Sequence, residues 1–103
     1  MTDHLATAAE LAPLIERVHG AHHPELTRVR ELTEQINAST DAGATAHLFR
    51  ELRAVTDDYT VPSDGCEAFA GTYAALRSAD TEHANRRPRD AQGRPLRLQG
   101  VSR

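Results

Sequence analysis

The chain contains no Lys and no Trp, a single Cys, a single Met and only two Tyr and two Phe. The lone Cys66 excludes an internal disulfide framework and any Cys-rich zinc site, and it suits a reduced, cytoplasmic setting. No apolar run approaches the roughly 18 residues of a membrane span. The opening MTDHLATAAEL carries an acid and lacks a basic leader region, so neither a membrane segment nor a secretion signal is expected. With so few aromatics, the core has to be small, aliphatic and Ala-rich, which favours helix over sheet, and 103 residues make one domain at most. Because Lys is absent, all twelve basic residues are Arg. That uniformity reads as compositional bias and weakens arguments from any one Arg.

Charge is unevenly spread along the chain. Six Arg against Asp90 give residues 84–103 a net +5, and the first 83 residues carry −8. An acidic body without aromatics interleaved among basic residues argues against nucleic-acid binding. The segment ANRRPRDAQGRPLRLQGVSR combines Pro, Gly and Arg with little periodic apolar content, so residues 84–103 are expected to form a disordered tail behind a helical domain at 1–83.

The longest helical pattern is IERVHGAHHPELTRVRELTEQI, Ile15 to Ile36, which holds three of the six His. Ala8, Ile15, Val29 and Ile36 recur at multiples of seven, with Leu11, Val18 and Leu32 on the companion row. Thr2-Asp3 offers an N-cap for a helix from about His4. Pro24 either kinks this helix or divides it in two. Because the heptad register persists across Pro24, one kinked helix is expected. On such a helix His22 falls in the apolar register and His19 sits one turn before it, so both imidazoles share a face as a metal site in a bundle needs.

A second helix is expected from Asp41 to Thr56, burying Leu48, Phe49, Leu52 and Val55. A third is expected to begin near Pro62-Ser63-Asp64, with Cys66, Phe69, Tyr73 and Leu76 on its inner face, and to fray near Glu82 or His83. His23, His47 and His83 read as solvated, and Glu31/Glu34 and Asp57/Asp58 as surface or loop charge. There is no Gly-rich phosphate loop, Ser-His-Asp order or paired catalytic carboxylate, so enzyme chemistry is not expected.

The segment STDAGATAHLFRELRAVTDDYTVPSDGCEAFAGTYAALRS resembles the C-terminal half of the hemerythrin-like domain in the di-iron family associated with iron-sulfur cluster repair. There, a helix opening on Glu-His-Asp-x-Ala-Gly leads through a Thr-Pro-Pro-x-x-Ala-Cys loop to a final helix. HGAHHPEL resembles that family's first metal-binding helix. The resemblance covers roughly residues 11 to 78, with Thr56 to Cys66 its most specific part. It implies a four-helix bundle holding two irons through His and bridging carboxylates. It carries His19 over as the first ligand and makes Cys66 a buried helix residue.

The departures from the family pattern are extensive. Ala38-Ser39-Thr40 stands where Glu-His-Asp is found, although Asp41 and Gly43 remain. The helix with His-x-x-x-Glu and Phe-Pro is missing between Ile36 and Ser39, and Asp80-Thr81-Glu82-His83 runs into the tail where a second His-x-x-x-Glu belongs. A family-like helix encoded in another frame after about codon 78 would mark the Arg-Pro tail as a frameshift product.

The expected fold is therefore an all-α, antiparallel three-helix bundle, a reduced form of the hemerythrin-like four-helix bundle. Iron, if bound, is expected on His19 and His22, with the missing carboxylates supplied by solvent or by a second chain, in a homo-oligomer that also covers the exposed seam. The alternative is a metal-free helical scaffold serving protein interaction.

Overall fold

The computed structural model describes residues 3–86, and these are all-α, with no strand among them. The helices are α1 (His4–His19), α2 (Glu25–Ala38), α3 (Ala42–Val55) and α4 (Glu67–Arg86). There are four rather than three, because the expected kinked helix is two helices. Gly20 caps α1, its N–H donating to the Glu16 carbonyl, and Pro24 stands immediately before the first residue of α2. Pro lacks the N–H a helix interior requires, so the chain reverses between these residues. Pro13, exposed within α1, does not end that helix.

The shared heptad register has a different origin from a continuous helix. Ala8 and Ile15 on α1, and Val29 and Ile36 on α2, are all buried, because each helix turns its own apolar stripe to one core. The helices run antiparallel. Glu16 of α1 meets Thr27 and Arg30 of α2, and the two ends of α1 meet opposite ends of α4 through His4–Glu82 and His19–Cys66. α1 packs extensively on both α2 and α4, whereas α3 packs on α2 and touches α4 sparsely.

Start signals were legible at two helices. Asp3 Oδ1 accepts from the Ala6 N–H at 3.1 Å and Asp41 Oδ2 from the Ala44 N–H at 2.7 Å, each satisfying a donor that the helix itself leaves unpaired. Within the core, Leu26, Val29, Leu32, Phe49, Leu52, Phe69, Tyr73 and Leu76 are almost wholly removed from water. Leu48 and Val55 pack at its edge. The buried hydroxyls of Thr33, Thr56 and Thr72 donate to carbonyls one turn back, so none is left unsatisfied.

Glu31 and Glu34 are not simply solvated. Arg28 pairs with Glu31 and, through two nitrogens, with Glu51 of α3, and Arg30 pairs with Glu34 and with Glu16 of α1. Two of the Arg that looked compositional thus tie α2 to both neighbours.

The 56–66 connection runs alongside α4. After Thr56 it places three consecutive non-Gly residues in the left-handed region, Asp57, Asp58 and Tyr59, at φ of 53°, 57° and 63°. Side-chain sterics disfavour that conformation by about 1–2 kcal/mol per residue, so something must hold it. The anchor is Tyr59. Its buried hydroxyl donates to Asp80 Oδ2 at 2.7 Å, where Arg53 Nη1 also donates at 2.6 Å, and its N–H donates to Thr56 Oγ1. Arg77 lies over the Tyr59 ring and donates to the Asp58 carbonyl. α4 then continues to Arg86, past the expected fraying point at Glu82 or His83. The tail expected to be disordered lies outside the described residues, apart from its first three positions, which complete α4.

Candidate functional site

Chemically capable side chains gather where α1 ends, α2 begins and the 56–66 connection delivers the chain to α4. His19, the last residue of α1, sets its ring edge-on to Phe69, with centroids 5.3 Å apart. Its Nε2 lies 3.2 Å from Cys66 Sγ. Either the thiol donates to a bare Nε2 or a protonated Nε2–H donates to the thiolate, according to the state of the imidazole. Cys66 is exposed and stands just before α4, contrary to the buried helical position that the resemblance implied. Its carbonyl accepts the Ala70 N–H, so it occupies the helix N-terminus. The thiol thus has a hydrogen-bonding partner 47 positions away in the chain.

His22 is placed differently. It lies in the turn after α1, exposed, with its backbone N–H donating to the His19 carbonyl. The continuous helical face that the His19/His22 spacing assumed ends at His19.

His23, expected to be solvated, is instead held between carboxylates. Its Nε2–H donates to Asp64 at 2.9 and 3.0 Å, its Nδ1 is 3.3 Å from Glu25, and its ring meets Phe69 edge-on at 5.5 Å. The Asp64 hydrogen bond raises the His23 pKa above its ordinary value and Glu25 adds to this, against the opposing effect of desolvation. The same bond holds the Asp64 carboxyl below the usual carboxylate range. Phe69 is thus the post on which two imidazoles lean, and Tyr73 stacks edge-on behind it, with its own phenol pushed up to about 12 by burial.

These donors do not form a metal centre within one chain. Among the described residues, no group of three or more His, Cys, Asp or Glu side chains is placed to hold a metal ion. His19 faces a thiol and a phenyl ring, His23 is engaged by carboxylates, and His22 stands apart. The residues present do not fit a di-iron site, which needs several convergent His and bridging carboxylates.

At the other end of α1, a cleft of about 650 Å³ opens between α1, the α2–α3 turn, α3 and α4. Leu5, Ile36, Phe49 and Ala79 supply apolar walls, and Asp3, Asp41, Glu82 and Arg86 supply charges. His83, expected to be solvated, is half-buried beside the Phe49 ring at 5.5 Å. His47 is exposed, as expected. The sparse contact between α3 and α4 keeps this cleft open. No described helix is long and apolar enough to cross a membrane.

The meeting of His19 with Cys66, 47 positions apart, was not visible in local pattern. One signal pointed to it: a His ending one helix and a Cys opening its antiparallel neighbour fall at the same end of the pair. Comparison with protein-family models, curated proteins and solved structures finds no match.

Proposed function

We propose that this chain is a hemerythrin-like helical bundle with an incomplete metal site, acting as a protein-interaction module without iron of its own. The observation that carries this reading is the placement of His19. The one position that the resemblance carries over as a ligand has its Nε2 against a thiol, and among the described residues no third donor joins it. The helical core is nevertheless continuous through all four helices.

The working surface is the cleft at the α2–α3 end. Three carboxylates at its edge, Asp3, Asp41 and Glu82, outnumber the Arg86 guanidinium, and its walls are apolar. A segment bearing both aliphatic side chains and positive charge suits it. Titration with a short peptide of Arg and Leu is expected to shift the backbone amide resonances of 37–45 and 79–86 while leaving those around His19 in place. Shifts spread evenly over the surface, or none at millimolar peptide, would refute this docking surface.

A second reading keeps iron but shares it between two chains. The exposed His22, with Leu14 and Val18 45% and 71% exposed on α1 before it, favours this. Such a pairing would cover the apolar side chains and bring two His19/His22 sets together, in a homodimer bound to iron.

A further inference from the structure

On the reading of the α2–α3 cleft as a docking surface, on which this inference rests, we propose that segment 87–103 of this same chain is the cleft's resident occupant and competes there with outside partners. The segment leaves α4 at Arg86, which itself lines the cleft, so the occupant starts at the site it fills. Its composition suits the cleft on both counts. Five Arg against Asp90 give residues 87–103 a net +4, and Leu96, Leu98 and Val101 stand among Arg94, Arg97 and Arg103.

The carboxylates of the cleft have capacity for added Arg. Asp3 and Asp41 each commit one oxygen to a helix cap, Oδ1 to the Ala6 N–H and Oδ2 to the Ala44 N–H. The second oxygen of each is left to accept a guanidinium N–H. Glu82 is held loosely, by His4 at 3.4 Å and by Arg86 at 4.0 Å. Beside these charges, Leu5, Ile36 and Phe49 form an apolar wall where α3 touches α4 sparsely. A segment that alternates Arg with Leu meets both kinds of surface at once.

Reach does not limit the contact. Leu96 lies ten positions beyond Arg86, an extended span of about 33–36 Å. Tethering places the segment at an effective concentration in the millimolar range, so an affinity that is weak for a free peptide is enough to fill the cleft most of the time. An outside partner then binds only the fraction of molecules whose cleft is open, and its apparent affinity falls by that fraction. Occupancy of about nine-tenths lowers it about tenfold.

The test uses the full chain and a full-length Leu96→Ser/Leu98→Ser variant, which leaves every core residue in place. Backbone amide resonances of 37–45 and 79–86 are expected to differ between the two proteins, while those of 19–26 coincide. The short peptide of Arg and Leu is expected to bind the variant about tenfold more tightly than the wild type. Both differences should be independent of protein concentration. Superimposable cleft resonances would overturn the proposal. Differences that fade on dilution would give the cleft to the segment of a second copy, and overturn it as well. A peptide that binds both proteins equally would keep the docking surface and remove the resident segment. A peptide that binds neither would remove the docking surface, and the inference with it.

Discussion

Replacing Asp80 by Ala removes one acceptor and disturbs two helices and a strained turn together. Asp80 Oδ2 receives the Tyr59 hydroxyl at 2.7 Å and Arg53 Nη1 at 2.6 Å. The two donors are affected differently. Tyr59 is 4% exposed, so its hydroxyl loses its partner without gaining water, at a cost of about 1–3 kcal/mol. The Arg53 side chain is 42% exposed and rehydrates, which limits that part to about 0–1 kcal/mol. Relaxation of the left-handed turn at 57–59 offsets some of the loss, so the net destabilisation is expected to be about 2 kcal/mol.

Urea unfolding of Asp80→Ala, Tyr59→Phe and the double variant measures the coupling directly. Tyr59→Phe alone should destabilise by about 1 kcal/mol through the lost hydrogen bond. In the Asp80→Ala background it should be neutral or stabilising, because it removes a hydroxyl that has become unsatisfied. A cost for Asp80→Ala below about 0.5 kcal/mol, or an equal cost for Tyr59→Phe in both backgrounds, would refute the anchoring role assigned to Tyr59.

Proton titration provides another expected outcome. His23 has a folded pKa above the ordinary 6.5, so its contribution is fully present below that value and is lost as pH rises through the raised one. Asp64 is lowered from 3.8, so its contribution is present above that value and is lost as pH falls through the lowered one. The contact is therefore intact between these limits. Imidazole resonances should titrate above 6.5 for His23, and Asp64→Asn should bring the value down; a His23 midpoint at or below 6.5 would contradict the geometry. Asp41→Ala, which removes the cap on Ala44, is expected to cost about 1 kcal/mol in urea unfolding. No measurable loss there would mean that solvent serves the first turn of α3 equally well.

Much of the fold was legible because local signals agreed. Asp3 and Asp41 are cap residues standing directly before periodic apolar runs, and α3 falls within one residue of its expected bounds. The error at Pro24 came from reading register as continuity. Ile15 and Val29 are two heptads apart, but antiparallel helices that face one core can show that spacing across a turn. Gly20 and Pro24, a stop and a start signal four residues apart, were the stronger evidence. The candidate site was less legible because its contacts are tertiary. Asp64 meets His23, and Cys66 meets His19, only because α4 packs antiparallel on α1. The separate contact of α3 with α4 brings Arg53 to Asp80, which no argument from the uniform Arg content could foresee.

Iron per chain, measured together with mass in solution on protein purified without a His-tag, tests the central reading most directly. The account predicts folded protein with no stoichiometric iron and an unchanged helical signal in the presence of a chelator. About one iron per chain in a homodimer, lost in His19→Ala, would contradict it and establish a site shared between two chains.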